Sequence, residues 1–340
     1  MAAVSGAIGV IRAETGATVP PEFKRFADAT TETPVTRLTD PAHTSFLPAP
    51  HLSSVNRRGS LLLYSNDRTG VMQLYRMDLK TGLSHQLSAG DPVHPRAAAI
   101  LTGERHIAYL AGQTLLVQPL RSGSARVVYR ASQGFELTGG FCVSSDGASV
   151  ALVEKSAATW RLRRIPLDRG EATILLESAG EIRDPMGRPE TGDILFREGG
   201  KLRLQSSVLA PAGPVGSYLW SPDGASILYL DSSNAIRELN IATGVDAFVA
   251  KTSRFAIFDR NADASVFVGA SASKASPVVL LLLRSVRREL TLAEHRASEP
   301  VLVTPRFTPN SKAVLFQSDK HGKMALYAVN VERLVEPTGD

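Results

Sequence analysis

The sequence predicts an all-β fold, a seven-bladed β-propeller of four-stranded antiparallel blades whose ring is closed by an N-terminal strand. Three observations lead there: two distant segments repeat without a gap, a turn motif recurs between them, and a strand-like segment precedes the first repeat. Leu63-Tyr64-Ser65-Asn66-Asp67-Arg68-Thr69-Gly70 lies over Leu315-Phe316-Gln317-Ser318-Asp319-Lys320-His321-Gly322. Asp67 and Asp319 are 319 − 67 = 252 residues apart, which is six steps of 42. Roughly 40–50 residues make one four-stranded blade, so six steps separate a first blade from a seventh.

The blades between are marked by turns of the Ser-Pro-Asp-Gly type, in which proline presets φ and glycine accepts a positive one, each followed by an apolar strand. Trp220-Ser221-Pro222-Asp223-Gly224 before Ile227-Leu228-Tyr229-Leu230 is the clearest. Val143-Ser144-Ser145-Asp146-Gly147, Phe258-Asp259-Arg260-Asn261-Ala262-Asp263 and Phe307-Thr308-Pro309-Asn310 are further members, and Leu101-Thr102-Gly103 and Met186-Gly187-Arg188-Pro189 are weaker ones. Together with the first repeat they place blade starts near residues 50, 95, 140, 181, 216, 255 and 303. Motifs such as Met77-Asp78-Leu79-Lys80-Thr81-Gly82 and Leu239-Asn240-Ile241-Ala242-Thr243-Gly244 supply the hairpin between the third and fourth strands of a blade.

The last blade runs out of sequence after Val329-Asn330-Val331, and its missing outer strand has a donor. Residues 34–40, Pro34-Val35-Thr36-Arg37-Leu38-Thr39-Asp40, resemble the first blade's fourth strand and precede the first blade. A strand from there closes the ring and removes a free sheet edge. The division expected is an N-terminal extension over residues 1–30 and one propeller over 31–340.

Composition is that of a globular chain with ample core, at 43% hydrophobic residues. The single cysteine, Cys142, sits between apolar neighbours and reads as a buried strand thiol. Residues 1–16 lack a basic segment followed by a sustained apolar one, and the longest apolar run, Val278–Leu283, is far short of the ~20 residues that span a bilayer. A cytoplasmic chain with no membrane contact is the expectation. A net charge of +5 favours anionic partners. Its basic clusters lack interleaved aromatics, so no nucleic-acid platform is expected. There is no Gly-x-Ser-x-Gly elbow, phosphate loop or dinucleotide fingerprint.

From Glu22-Phe23-Lys24-Arg25-Phe26 through Val35-Thr36-Arg37-Leu38-Thr39-Asp40 and Tyr64-Ser65-Asn66-Asp67-Arg68-Thr69-Gly70 to the final blade, the chain resembles bacterial oligogalacturonate lyases, propellers with TolB-type repeats. The resemblance implies metal-assisted β-elimination on short pectin fragments, with a divalent metal such as manganese neutralising a uronate carboxylate. It also implies a histidine- and glutamine-lined metal site. In this chain the family's His-x-His positions are Leu302 and Thr304, Glu299 falls where the glutamine would be, and Ser217 stands three residues before Trp220 in place of a further histidine. Asp184 aligns with a fourth.

One carboxylate without imidazole neighbours is not a transition-metal site, so no metal is expected. The reading is a non-catalytic or altered propeller binding an anionic oligosaccharide. An active lyase and a TolB-like scaffold for a protein partner are the alternatives. The ligand-pocket candidates are His51, His94, Asp184, Ser217, His295, Glu299, Thr304 and Arg306. His43, His51, His94, His295 and His321 map to loops on one face, while His85 and His106 fall in strands. His295 and Glu299 share one loop, where the bland reading is satisfied loop polar groups. Asp67-Arg68 and Asp319-Lys320 could touch sugar hydroxyls, but their recurrence in two blades favours a turn role.

Overall fold

The computed structural model describes residues 10–11, 17–121 and 123–335, so most of residues 1–16 lies outside it. Seven antiparallel sheets follow one another around a central channel. The inner strands of blades 2 to 7 are Val93–Ile100, Glu136–Val143, Ile182–Gly187, Tyr218–Trp220, Phe255–Arg260 and Arg306–Phe307. Blade 1 begins with Ser45–Phe46, leaves the ladder, and touches it again where Val55 pairs with Leu62. Each inner strand is followed by its meander toward the rim, the order that short hairpins between sequence neighbours dictate.

The turn chemistry read from the sequence is realised atom by atom. In blade 5 the Ser221 hydroxyl donates to Asp223 at 2.6 Å, Asp223 accepts the Ala225 amide at 3.0 Å, and Gly224 takes a φ of 66°. Ser144, Asp146 and Gly147 repeat this in blade 3, and Thr308 with Asn310 in blade 7. Asp78 and Asn240 cap the outer hairpins by accepting the amides two and three residues on. The Asp67 and Asp319 carbonyls accept the Gly70 and Gly322 amides at 2.9 and 3.0 Å, which closes each turn, and their carboxylates accept the Thr44 and Ser298 amides at 2.7 and 2.8 Å, which ties each turn to the preceding loop.

These turns also join the blades. Around one face, hydrogen bonds link Arg57 to Glu104, Thr102 to Ser145 at 3.4 Å, and Ser145 to Thr191 at 2.7 Å. The belt continues from Arg188 to Gly224 at 2.8 Å, Arg260 to Trp220 at 2.8 Å, and Ala262 to Ser311 at 3.3 Å. Asn310 donating to the Arg58 carbonyl at 3.2 Å completes it. Every junction of the ring is thereby bridged.

Between the blades the core is a series of apolar layers. Leu228, Ile236, Phe258 and Phe267 fill one junction, and Val268, Leu281, Phe316 and Tyr327 the next. Phe316 and Tyr327 stack with centroids 5.2 Å apart. Cys142 is buried in the inner strand of blade 3, and burial pushes its thiol up to about 12. Among the described residues no helix is long and apolar enough to cross a membrane.

Closure is made as the sequence suggests. Pro34–Arg37 forms the outer strand of blade 7, with Val35 opposite Val329 and Arg37 opposite Tyr327. Residues 1–30 do more than extend the chain. Lys24–Ala27 adds a fifth strand to blade 7, Thr18–Val19 one to blade 1, and Val10–Ile11 one to blade 2. Asp28, in the hairpin turn, accepts the Glu294 amide of blade 6 at 3.0 Å. Glu22 accepts the Asp40 amide at 3.0 Å and both terminal nitrogens of Arg68 in blade 1, each at 3.0 Å.

His94 corrects a placement made from sequence. It lies within the inner strand of blade 2 and not in a loop, because pairing already starts at Val93 opposite Ala111. Pro95 cannot continue the ladder, and the register shifts before Ala98 meets Tyr109.

Because Glu22 clamps the closing strand to blade 1 through a half-buried bidentate pair, Glu22→Ala is expected to lower stability by about 2 kcal/mol, as lost charged hydrogen bonds do. Urea unfolding followed by tryptophan fluorescence measures it, and an unchanged midpoint would show the clamp to be idle.

Candidate functional site

The inner strands line the channel, and several of them are irregular there. Register shifts interrupt the ladder in blade 2 between the partners of Tyr109 and Ala111, in blade 3 between Leu137 and Phe141, in blade 4 between Arg183 and Met186, and in blade 6 between Phe255 and Ile257. A bulge leaves a residue unpaired and re-aims its side chain. Asp184 sits in the blade 4 bulge at a φ of 51°, a conformation that aspartate tolerates better than most residues.

These strands enclose a cavity of about 750 Å³ lined by His51 and Arg96 on one side, Asp184, Ser217 and Tyr218 on another, and Trp220, Asp259 and Arg260. Four guanidinium groups line it, and three of them have partners. Arg183 pairs with Glu181 at 3.4 Å. Arg197 donates to the Val215 carbonyl at 2.9 Å and lies over the Tyr218 ring. Arg260 donates to the Trp220 and Asn261 carbonyls at 2.8 and 3.1 Å. Arg96 differs: its Nε is buried without a hydrogen-bond partner among the described residues. Burial holds its pKa below the usual arginine range, against the opposing pull of Asp184.

His51 Nε2 is 3.0 Å from the Phe141 carbonyl. A carbonyl only accepts, so Nε2 carries the proton and Nδ1 is left as an acceptor. Burial depresses the His51 pKa, the Phe141 carbonyl and Asp184 partly restore it, and Arg96 and Arg306 depress it further. Asp259 is pushed up by burial, although it accepts the Phe307 amide at 2.9 Å. The Nε1 of Trp220 is also buried without a partner among the described residues.

Of the residues singled out from sequence, His51, Asp184 and Ser217 line this cavity. Arg306 stands behind the wall, fully desolvated and pushed down to about 9. It donates to the Pro48 carbonyl and to the Ser54 hydroxyl at 3.2 Å, and so holds the blade 1 segment that carries His51. His94 is outside the lining, 3.2 Å from the Gly112 carbonyl. His295 is buried in its loop, with Nε2 on the Ser271 carbonyl at 3.0 Å and Nδ1 on the Ala297 amide at 3.1 Å. Thr304 is buried at a φ of 39°, and Glu299 is exposed beside a short 3-10 turn.

Sequence reasoning passed over Arg96, Tyr218 and the role of Asp259. Their signal was weak: each stands within an inner strand a few residues before a blade's first turn, and only the bulges decide which of those residues face the channel.

The residues present do not fit the metal that the family resemblance implies. Among the described residues no three His, Cys, Asp or Glu side chains come together. His51 Nδ1 is free to donate an electron pair, but the Asp184 carboxylate is coupled to the Arg96 guanidinium. A site this cationic repels a divalent ion.

Two outcomes follow. His295, held neutral down to about 4 by burial, contributes stability in full above pH ~6.5, where the unfolded imidazole is also neutral. That contribution is lost as pH falls from ~6.5 toward ~4, by on the order of 3 kcal/mol. The loss of unfolding free energy over that window is expected to be shallower in His295→Gln, and equal slopes would contradict the buried neutral state. For His51, nitrogen-detected NMR is expected to show the Nε2–H tautomer titrating below the ordinary histidine range, and lower still in Asp184→Asn. A rise in that variant would reverse the sign assigned to Asp184.

No protein-family model matches the chain. Curated relatives do. An oligogalacturonide lyase of Pectobacterium atrosepticum is 23% identical over 93% of this chain and 98% of its own length. An oligogalacturonate lyase of Dickeya dadantii is 22% identical over 91% and 96%. Among solved structures, an oligogalacturonate lyase in complex with manganese superposes with a TM-score of 0.83 at 23% identity, covering 93% of this chain and 97% of that one. The lyase from Vibrio parahaemolyticus superposes with 0.86 at 22% identity, covering 94% and 100%. The chain is an oligogalacturonate-lyase-like seven-bladed β-propeller, similar to those lyases along nearly its whole length.

Proposed function

We propose that this propeller binds an anionic oligosaccharide of the pectin-fragment class in its central channel, and that it does so without the metal-assisted elimination its relatives' names imply. The observation that carries the reading is Arg96, a guanidinium on the cavity wall whose Nε has no hydrogen-bond partner among the described residues. A desolvated, incompletely paired guanidinium is costly to the empty protein. A carboxylate presents two oxygens at the spacing of its planar fork and relieves that cost with short, charge-assisted bonds. A uronic acid carries such a carboxylate on every ring. The cavity of about 750 Å³ falls within the ~300–1,000 Å³ usual for small-ligand sites.

The rest of the lining suits a sugar. Ser217, Tyr218 and Asp259 add hydroxyl and carboxyl groups, and Trp220 packs its indole into the wall. His51 Nδ1 offers an acceptor beside Arg96. A guanidinium takes over the charge neutralisation that a metal would supply, and it binds the carboxylate without activating the ring proton beside it to the same extent. The protein-scaffold reading has less support: the exposed large apolar residues, among them Ile174, Val208, Phe248 and Val286, are spread over several blades.

Titration calorimetry with digalacturonate is expected to show binding that weakens with salt, and Arg96→Gln is expected to reduce affinity at least about tenfold, as loss of a charged hydrogen-bonded pair does. Equal affinity in the variant would overturn the assignment. So would a rise in the absorbance of unsaturated product on adding manganese and digalacturonate, if chelation abolishes it.

A further inference from the structure

A second cavity opens beside the first. It is an open groove of about 470 Å³ at the seam between blades 3 and 4, and it shares Arg183 and Asp184 with the channel. Its other side comes from Glu136, Thr138, Lys155 and Trp160. The seam is open for a reason visible in the backbone. The inner strand of blade 3 leaves its ladder after Leu137 and rejoins at Phe141, with Gly139 at a φ of 85°, and the neighbouring inner strand of blade 4 leaves its own after Arg183. Two bulges fall at one junction, and the groove opens between the side chains that they re-aim.

The groove has the surface that pyranose rings are recognised by. Trp160 ends the hairpin opposite Lys155, packed on one side against the apolar layer of Cys142, Val153 and Phe196 and half-exposed on the other. An indole so held offers a flat apolar face with little loss of side-chain freedom. Around it lie two exposed ion pairs, Lys155 with Glu136 at 3.1 Å and Arg183 with Glu181 at 3.4 Å. Exposed pairs of this kind are weak, so either cation can turn to a ligand carboxylate at small cost.

Resting on the channel reading above, we propose that the groove is an extension subsite: when the channel holds one end of an acidic oligosaccharide, the following rings pass Asp184 and Arg183 and stack on Trp160. The ligand is then an oligomer longer than a dimer, with one carboxylate on Arg96 and a later one within reach of Lys155 or Arg183. The two tryptophans of the chain, Trp160 and Trp220, stand one in each cavity.

The test uses the full chain with di- and tetragalacturonate in calorimetry. Tetramer is expected to bind about tenfold more tightly than dimer, the gain of roughly one added contact of 1.4 kcal/mol. Trp160→Ala and the exposed-site variant Lys155→Glu are each expected to abolish that gain while leaving dimer affinity within about twofold. In fluorescence, tetramer is expected to change the emission more than dimer does, and Trp160→Phe is expected to remove the difference. Dimer binding with no gain for tetramer, or a gain that survives both variants, overturns the subsite and leaves the channel reading standing. Binding of neither ligand removes both.

Discussion

Ring closure is the constraint on which everything else rests. Seven sheets packed side by side leave an open edge and an exposed apolar face at each end unless the last meets the first. Here one N-terminal hairpin makes that meeting. Its backbone completes the seventh sheet opposite Tyr327 to Val329, Asp28 reaches back to blade 6, and Glu22 reaches forward to Arg68 of blade 1. The Gln317 side chain of blade 7 adds an acceptor for the Leu47 amide of blade 1 at 2.8 Å. Closure by backbone pairing brings residues 35–37 beside residues 327–329.

Once the ring is closed, the seven inner strands must share a small central space, and that is where regular pairing fails. The middle strands of the blades are regular and almost wholly buried, as in Ser226–Leu230 and Val266–Ser271. The inner strands of blades 2, 3, 4 and 6 are bulged. The second and third strands pair without a break in all seven blades, while the inner strands of four blades, and the outer ones of blades 2, 3, 5 and 6, carry register shifts. Charges placed on the inner wall are partly desolvated, which explains why Arg96, His51 and Asp259 are all displaced from their ordinary protonation behaviour in the direction that favours the neutral form.

The same wall bears on the metal site that the resemblance implies. A divalent ion needs several convergent electron-pair donors that are not already engaged. The cavity is instead lined by guanidinium groups and hydroxyls. Such a lining suits the anionic sugar proposed above. Arg306 marks the division of labour, since its side chain is spent on the Pro48 carbonyl and Ser54 hydroxyl, and so it positions the segment bearing His51.

The sequence by itself determined the blade number, the turns and the closing strand. These rest on local rules: a proline and a glycine at fixed places in a tight turn, an aspartate capping the next amides, an apolar period, and a repeat offset of six blades. It also located Cys142 in a buried strand and gave Asp67 and Asp319 their turn roles. Three of the eight pocket candidates, His51, Asp184 and Ser217, line the cavity, because the family alignment or a loop position picked residues in or beside the inner strands. Only the tertiary structure decided the rest. Whether Arg96 or His94 faces the channel depends on an irregular stretch in which residues 94–97 lie opposite the single residue Leu110. Whether His295 is a ligand or a core histidine depends on the Ser271 carbonyl and Ala297 amide that it meets. The groove at Trp160 exists because bulges in two different blades fall at the same junction. Each of these is a coincidence in space of residues far apart in the chain, and no local pattern records it.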